Sequence, residues 1–369
     1  MINQTDIVVI GAGAVGLAIT KYLSKLNKDV LLIEKNNNIG EETSSRNSEV
    51  VHAGIYYPTN SLKAKLCIKG KKLLYDYCKE KKIFYKKCGK LIISQEKSDK
   101  TKLDIIENQA KKNGLTDLKR LTSKEMYKIE PEIECLEAIY SPSTGFFDST
   151  HFMQSLREDI ENSHGSISLN SKVIGGTINK NYIDLIIDKS GKITNLKTKY
   201  LINAGGLYST NIIKKFINFP KEFIPNIFYT KGTYFNYLGK NPFKHLIYPL
   251  PEKSGLGIHI TLDKYNKIKF GPDTELTNIV EYEVNEYKLE KFYKSIKTFW
   301  PNVVKENILP GYCGIRPKLY KENIKENDFV IQGPINHRIQ RLVNLFAIES
   351  PGLTSSLAIG KYIRNLLFK

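Results

Sequence analysis

The chain has 369 residues, of which 41% are hydrophobic and 25% are charged, with a formal net charge of +18. These proportions are typical of a globular protein with one or two cores, which excludes disorder as its main state, and no run of about 18 or more apolar residues predicts a membrane span. The chain starts without secretory-signal features, and its five cysteines lack metal-ligand spacing, so a cytoplasmic protein with no metal site is expected.

The first residues of the chain predict a βαβ unit. Residues 6–10 and 30–33 are short apolar runs typical of buried parallel strands, and residues 14–26 carry apolar side chains at helical spacing. Residues 11–16 fit GxGxxG, whose glycines allow a tight turn and bring a dinucleotide pyrophosphate close to the helix N-terminus. Glu34 follows the second strand, where its carboxylate can accept hydrogen bonds from the adenosine ribose. The sequence therefore predicts a dinucleotide site at the start of the chain.

Helices and strands are predicted along the rest of the chain. Helices are predicted at residues 62–82, 99–130, 286–300 and 354–367. Strands are predicted at residues 83–94, 182–188, 193–203, 227–238, 245–250, 256–271 and 342–348. No repeat or low-complexity linker interrupts this order, so the strand-rich second half is interpreted as an insertion into the dinucleotide-binding fold.

The predicted fold class is α/β with an α+β insertion, and it has two domains. A discontinuous Rossmann-like dinucleotide-binding domain is predicted from residues 1–82, 140–215 and 311–369. An antiparallel-sheet substrate domain is predicted from residues 83–139 and 216–310.

Two later segments favour FAD over NAD as the dinucleotide. Residues 200–206 are a strand that runs into a double glycine, as in flavoproteins where this segment returns beside the dinucleotide. Residues 350–356 end a strand and open the last helix, whose N-terminus can hold the negative charge of a reduced flavin. FAD is therefore the predicted cofactor, and Glu34 disfavours a 2′-phosphorylated dinucleotide.

The sequence resembles the D-amino-acid-oxidase type of FAD-dependent oxidoreductases, and within them the L-2-hydroxyglutarate dehydrogenase/oxidase group. The resemblance covers essentially the whole chain and is carried by residues 46–58, 61–67, 88–91, 245–249, 257–259, 271–272, 311–317, 328–330 and 354–356. The chain departs from that group at residues 231–235, where Lys231 replaces the usual arginine, and at Asp273, where a basic-aromatic stretch is usual. Both departures lie in the predicted substrate domain, so they bear on the substrate and not on the flavin.

The motifs and the resemblance together imply a set of cofactor contacts. These are Gly11, Gly13, Ala14, Gly16, Glu34, Lys35, Ser45, Arg46, Asn47, Val173, Ala204, Gly205, Gly206, Gly352, Leu353 and Thr354. The implied substrate contacts are Tyr57, Lys231, Tyr234, His259 and Arg316.

Oxidation of a 2-hydroxy acid needs a carboxylate anchor, a base for the hydroxyl proton, and a flavin that accepts hydride. Arg316 is the predicted anchor, since its bidentate fork suits a carboxylate; a structural ion pair is the other interpretation. His52 and His259 are alternative bases, because imidazole titrates near neutral pH. His52 can equally hydrogen-bond the flavin or carry it covalently, so the choice between the histidines stays open here.

The predicted reaction is oxidation of L-2-hydroxyglutarate, or a related carboxylate, to the 2-oxo acid, with oxygen or a quinone as alternative electron acceptors. An amino-acid oxidase of the same family is the alternative enzyme, and a flavin-binding regulator without turnover is the alternative from another class. Only seven of the 56 basic residues are arginine, and lysine-rich runs such as residues 79–82 and 86–90 are interpreted as solvated surface. No specific nucleic-acid partner is therefore predicted. A peripheral contact of this surface with the inner face of a membrane is predicted instead.

Overall fold

The computed structural model describes residues 3–250, 257–319 and 328–368. The first residue of the strand predicted at 256–271 lies outside the described residues, and so do residues 1–2, 251–255, 320–327 and 369 of the predicted domains. In the described part, the α-helices are α1 (Ala14–Leu23), α2 (Leu62–Glu80), α3 (Lys100–Lys112), α4 (Ser123–Ile129), α5 (Ser149–Glu161), α6 (Ser209–Ile213), α7 (Leu289–Lys297), α8 (Pro334–His337) and α9 (Gly352–Leu367).

The strands of the first half are β1 (Asn3–Ile10), β2 (Val30–Ile33), β3 (Val50–Val51), β4 (Tyr85–Lys86), β5 (Lys90–Ser94), β6 (Lys119–Thr122), β7 (Glu137–Ser141), β8 (Gly145–Phe147), β9 (Gly165–Ser168), β10 (Ser171–Ile178) and β11 (Ile183–Lys189). Those of the second half are β12 (Lys192–Asn203), β13 (Phe216–Ile217), β14 (Ile227–Tyr237), β15 (Leu246–Pro249), β16 (Ile260–Leu262), β17 (Ile268–Phe270), β18 (Glu275–Thr277), β19 (Ile308–Leu319), β20 (Val330–Gln332) and β21 (Leu342–Phe346).

The first sheet is built around a parallel core in the order β9-β2-β1-β12-β21. Strand β11 continues it antiparallel to β12, β10 pairs antiparallel with β11, and β20 pairs antiparallel with β21. Helices α1, α2, α5 and α9 cover one face with a core of aliphatic and aromatic side chains. Parallel strands need both faces covered, which explains why β1 and β2 are almost wholly apolar. The predicted Rossmann-like α/β fold is confirmed.

The turn between β1 and α1 requires glycine at two positions. Gly11 has a φ of +98°, which residues with a side chain rarely adopt. A Cβ atom on Gly16 would lie 1.8 Å from the carbonyl oxygen of Gly11, so a side chain there would push the helix off the strand. The glycines of the GxGxxG pattern therefore bring α1 close to the end of β1.

The second sheet runs in the order β18-β14-β17-β16-β15-β5-β7-β6, and β19 pairs with β14 along almost its whole length. Its pairs are antiparallel except for β5 and β15, so the described part of the predicted antiparallel sheet is in fact mixed. Aromatic residues of β14, β17 and α7 pack beside Trp300 in its core. A small third sheet has the strand order β3-β8-β4.

Sheet membership differs in detail from the predicted domain ranges. Strand β7 crosses the predicted boundary at residues 139/140, and β19 crosses the one at 310/311. Strand β13 falls in the predicted substrate domain but pairs with β10 of the first sheet. The division into two domains stays a prediction, and two of its boundaries fall inside continuous strands, β7 and β19.

Some elements were not predicted. Strand β6 interrupts the helices predicted at 99–130, and α5, β9 and β10 form where no element was predicted. Strand β10 contains Gly175 and Gly176 and a break in register, so its sequence lacks the regular alternation of a half-buried strand. In the described part of the chain, no helix is long and apolar enough to cross a bilayer. The same residues contain no group of three or more His, Cys, Asp or Glu side chains that could hold a metal ion.

Candidate active site

A cavity of about 770 Å³ lies between the two large sheets. One end is formed by the turn after β1 and the start of α1, and its wall includes the segment at Ala204–Leu207. The other end is formed by side chains of the second sheet, including Tyr248, His259 and Arg316. The N-terminus of α9 opens into the same cavity.

Glu34 lies in the wall at the α1 end and is 8% exposed. Its Oε2 accepts the N–H of Ala12 at 2.7 Å, and its Oε1 accepts the N–H of Asn36 at 2.9 Å. The carboxylate therefore fixes the loops on both sides of itself, and each oxygen keeps a further lone pair for a ligand. The contact with a ribose stays a prediction, and the two hydrogen bonds hold the carboxylate in the cavity wall at the α1 end.

A second carboxylate, Glu42, lies in the same part of the wall and was missed by the sequence analysis. It forms an ion pair with Lys35 at 2.5 Å and accepts a hydrogen bond from the hydroxyl of Tyr282. Ser44 was also missed: its Oγ accepts the first N–H of α1, from Ala14, at 3.0 Å. No sequence motif marks these residues, because their partners lie in other segments.

Helices α1 and α9 both point their N-termini into the cavity, and neither is capped by the side chain of its own N-cap residue. Thr354, in the first turn of α9, accepts the N–H of His52 at 3.1 Å and donates to the carbonyl of Val50 at 3.2 Å. This bond ties the segment after β3 to α9. Helix N-termini attract negative charge, so the two ends suit a diphosphate and the ring of a reduced flavin. The cavity therefore fits FAD.

Most of the predicted site residues line this cavity. From the predicted cofactor contacts these are Gly11, Gly13, Ala14, Gly16, Glu34, Lys35, Arg46, Asn47, Val173, Ala204, Gly205, Gly206, Gly352, Leu353 and Thr354. From the predicted catalytic and substrate contacts they are His52, Tyr57, Tyr234, His259 and Arg316.

Ser45 and Lys231 are exceptions, because neither lines the cavity. The Oγ of Ser45 donates to the carbonyls of Glu41 and Glu42, each at 3.1 Å, so the side chain turns back onto its own loop. Lys231 lies on β14 one residue past Thr230, which is paired with Arg316. Successive side chains of a strand point to opposite faces, so Lys231 points away from the face that carries Arg316. The predicted cofactor contact of Ser45 and the predicted substrate contact of Lys231 therefore have no counterpart in the cavity wall.

Arg316 lies on β19 and is half-buried in the cavity wall. Its Nη2 approaches the α-carbon of Gly232, where a Cβ atom would lie only 3.1 Å away. Among the described residues, no carboxylate oxygen lies within 4.0 Å of the guanidinium group. A half-buried guanidinium group without an internal carboxylate suits an anionic ligand better than a structural ion pair.

Tyrosine rings surround the histidines and the arginine. Tyr248 stacks on His259 with ring centroids 3.6 Å apart, and Tyr234 stacks on Tyr312 at 4.6 Å. His259 is 5% exposed. Burial raises the pKa of Tyr248 above its ordinary value, so its hydroxyl stays protonated at neutral pH. Tyr248 belongs to a motif shared with the resembling group, but its place in the wall emerges only from the pairing of β15 with β5.

His52 is the second histidine in the wall, and its Nε2 lies 3.3 Å from the hydroxyl of Ser350. Burial and the positive charges of Lys90 and Arg316 together lower the pKa of His52 to about 3, against a smaller opposing effect of Glu349. The imidazole is therefore uncharged at neutral pH, and its low pKa makes it a weak base. Both predicted bases reach the cavity, so the structure brings the alternatives together without choosing between them.

A cluster of three charged residues near His52 was also not predicted, namely Lys63, Lys318 and Glu349. Glu349 Oε1 accepts hydrogen bonds from Lys63 Nζ at 2.6 Å and from Lys318 Nζ at 2.8 Å. Burial by itself raises the pKa of Glu349, but the two ammonium groups hold it below its ordinary value. The cluster therefore carries a net positive charge beside His52 and the start of α9.

The cavity between a Rossmann-like sheet and a second sheet is matched by a known family. The sequence model of the family described as "DAO: FAD dependent oxidoreductase" matches residues 6–366. The chain belongs to this family. It is an FAD-dependent oxidoreductase, and the predicted family, cofactor and enzyme class are confirmed.

Proteins named "L-2-hydroxyglutarate dehydrogenase, mitochondrial" are among its relatives. The one from Arabidopsis thaliana is 39% identical over 98% of this chain and 83% of its own length. The one from Dictyostelium discoideum is 32% identical over 98% of this chain and 92% of its own length.

Solved structures share the fold. L-alpha-glycerophosphate oxidase from Mycoplasma pneumoniae, with FAD bound, aligns with a TM-score of 0.90 at 22% identity, over 100% of this chain and 96% of that one. Glycine oxidase from Geobacillus kaustophilus aligns with a TM-score of 0.84 at 15% identity, over 99% and 95%. The names of these two proteins give different substrates, so the shared fold does not select a substrate.

Proposed function

We propose that the protein oxidises L-2-hydroxyglutarate to 2-oxoglutarate. The observation that carries this proposal is Arg316, a half-buried guanidinium group without a carboxylate partner among the described residues. It shares the cavity with two histidines, as the oxidation of a 2-hydroxy acid requires. The names of the relatives from Arabidopsis thaliana and Dictyostelium discoideum support this substrate.

The residues of the chain would divide the work as follows. Arg316 binds the substrate carboxylate through its two-pronged face and so orients the α-carbon. His52 or His259 accepts the proton of the α-hydroxyl group. Bound FAD would supply the acceptor for the hydride of the α-carbon. The rings of Tyr234 and Tyr248 exclude water from this end of the cavity.

An amino-acid oxidase of the same family is the alternative. It would use the same anchor, but its substrate carries an amine in place of the hydroxyl group and its product releases ammonia. The names of the relatives from Arabidopsis thaliana and Dictyostelium discoideum favour a hydroxy acid as the substrate.

The test is the visible spectrum of the purified holoprotein before and after addition of substrate without oxygen. L-2-hydroxyglutarate is expected to bleach the flavin, while the D-enantiomer and amino acids leave it oxidised. The product, identified by mass, is expected to be 2-oxoglutarate. A flavin that stays oxidised with L-2-hydroxyglutarate, or that is bleached faster by an amino acid with release of ammonia, would reject the proposal.

The electron acceptor and the cellular location belong to the same proposal. Oxygen and a quinone are the two acceptors to compare, by following reoxidation of the reduced flavin with each. We place the protein in the cytoplasm, with its lysine-rich surface in peripheral contact with an anionic membrane. Recovery of the protein from membranes by washing with salt supports this contact, and its absence from the membrane fraction at low salt contradicts it.

A further inference from the structure

Lys90 is the most unusual charged residue of the second sheet. It is the first residue of β5, and its side chain is 1% exposed. The sequence analysis interpreted the lysines at 86–90 as solvated surface, which is wrong for this one. Strand β5 lies between β7 and β15, where Lys90 is paired with Ser141 on one side and Leu246 on the other.

The ammonium group of Lys90 is held by aromatic rings. Its Nζ lies 4.7 Å from the ring centroid of Tyr56 and 4.7 Å from that of Tyr248. Among the described residues, no carboxylate oxygen lies within 4.0 Å of it. Cation–π contacts replace only part of the hydration that an ammonium group loses on burial, so the charged form is held at a cost.

Lys90 stands directly behind the active-site wall. Tyr56 and Tyr248 line the cavity together with His52 and Arg316, whereas Lys90 does not. Its charge is near enough to His52 to disfavour protonation of that imidazole. In surroundings this dry, a charge acts on its neighbours more strongly than it would in water.

We propose that Lys90 is a positioning residue whose positive charge strengthens binding of the anionic substrate from behind the tyrosine wall, and that this charge is present at acidic pH and lost at alkaline pH. The inference rests on the proposed function, because it assumes a carboxylate substrate at Arg316. It adds to that function a dependence of substrate affinity on pH that Arg316 by itself does not provide.

The groups that face Lys90 support this assignment. Burial lowers the pKa of Lys90 to about 7, so the amine loses its charge as the pH rises through neutrality. Burial raises the pKa of Cys67, the facing group of α2, to about 12, and it also raises the pKa values of the Tyr56 and Tyr248 hydroxyls. These three groups therefore stay uncharged near neutral pH.

The remaining charged or titratable groups in this part of the wall are His52, Tyr57, Tyr234, His259, Arg316 and Glu349, together with Lys63 and Lys318, which pair with Glu349. Burial lowers the pKa of Lys318, so any titration of that lysine is common to the wild type and both Lys90 variants. His52, with a pKa of about 3, is uncharged in the same range. Glu349, with its pKa below the ordinary value, keeps its negative charge there. A change of substrate affinity between pH 6 and pH 9 that disappears on replacement of Lys90 is therefore assigned to Lys90.

The test compares the wild-type holoenzyme with Lys90→Arg, which keeps the charge at every pH, and Lys90→Met, which never has it. We expect the wild-type KM for L-2-hydroxyglutarate to equal that of Lys90→Arg at about pH 6 and to approach that of Lys90→Met at about pH 9. The two variants are expected to differ by about three- to tenfold in KM, with a smaller change in kcat. The competitive inhibition constant of glutarate, which cannot be oxidised at an α-hydroxyl group, is expected to move in parallel.

The matched control is Lys71→Met. Lys71 follows Cys67 by one helical turn on α2, donates to Ser143, and does not line the cavity. Its variant is expected to keep the wild-type dependence of KM on pH. Parallel KM profiles for wild type, Lys90→Arg and Lys90→Met would overturn the inference, and so would an equal change in Lys71→Met.

Two further results have defined meanings. If Lys90→Met does not fold, wild type and Lys90→Arg decide alone, since their KM values must diverge as the pH rises. If L-2-hydroxyglutarate does not reduce the wild-type flavin, the proposed function fails and the Lys90 inference fails with it. An active wild type with parallel profiles rejects only the role of Lys90.

Discussion

The two ends of the cavity are built in different ways. At the α1 end, the central part of the wall is a short continuous motif, and Glu34 bonds to the backbone of Ala12 and Asn36, which lie close in sequence. At the other end, the wall is assembled from remote segments: Lys63 pairs with Glu349 across 286 positions of the chain. The cofactor end is therefore built around a local structure, whereas the substrate end exists only after the sheets have formed.

The two ends also differ in charge. The α1 end offers backbone N–H groups and carries the carboxylates of Glu34 and Glu42. The substrate end concentrates positive side chains, with Arg316 in the wall and Lys90 behind it. Substitutions at the cofactor end should therefore change flavin retention, and substitutions at the substrate end should change turnover while the flavin stays bound.

The largest effect is expected from the two histidines of the substrate end. Replacing the base by asparagine removes the proton acceptor, so flavin reduction should slow by about 10²–10⁴-fold. The measurement is stopped-flow reduction of the bound flavin in His52→Asn and His259→Asn. The other histidine variant should alter flavin binding or do little, and near-normal reduction in both would reject the acid–base assignment.

The dependence of this reaction on pH distinguishes the histidines. Because burial and neighbouring positive charges lower the pKa of His52 to about 3, its imidazole is protonated only below that pH. If His52 is the base, the rate of flavin reduction should therefore stay high down to about pH 5, provided that the protein remains folded. A loss of rate that sets in above about pH 5 would reject His52 as the base and leave His259 as the candidate.

The next effect is expected at Arg316. Arg316→Met leaves a desolvated carboxylate unpaired and should cost about 2–5 kcal/mol in kcat/KM. Arg316→Lys keeps the charge without the fork and should mainly raise KM. Steady-state kinetics on both variants, with the flavin spectrum as the control for folding, measures the difference. Unchanged kinetics in Arg316→Met would remove the carboxylate anchor.

A smaller effect is expected at the cofactor end. Glu34→Ala should weaken FAD binding by about 1.5–3 kcal/mol, because it loses charge-assisted hydrogen bonds. Glu34→Gln, which keeps the shape and one acceptor, should weaken it less. The affinity is measured by titrating the apoprotein with FAD. Retention of flavin by Glu34→Ala as tight as in the wild type would contradict the ribose contact.

The smallest effect is expected for nucleic acid. Binding of DNA by the lysine-rich surface should be weak, indifferent to sequence, and lost as the salt concentration rises. A titration of labelled duplexes of different sequence at several salt concentrations measures this. A sequence-selective complex at physiological salt would show that the charge of +18 has a specific partner.

The success of the sequence analysis followed the same division between the two ends. The βαβ unit was predicted from residues 6–34, and the structure has β1, α1 and β2 there. At the substrate end, Lys231 was predicted to contact the substrate, but it does not line the cavity. Its position on β14 puts its side chain on the face opposite to that of Thr230 and Arg316, because adjacent residues of a strand point to opposite faces.

What the sequence by itself determined is the part of the protein whose contacts are local. The glycine turn, the helix that follows it and the acid after β2 are fixed by backbone geometry within about 30 residues, so a motif is enough to predict them. Only the tertiary structure decided that Lys90 is buried and that Glu349 joins Lys63 and Lys318. The reason is that burial and charge pairing depend on which strands become neighbours, and that choice is made by the whole chain.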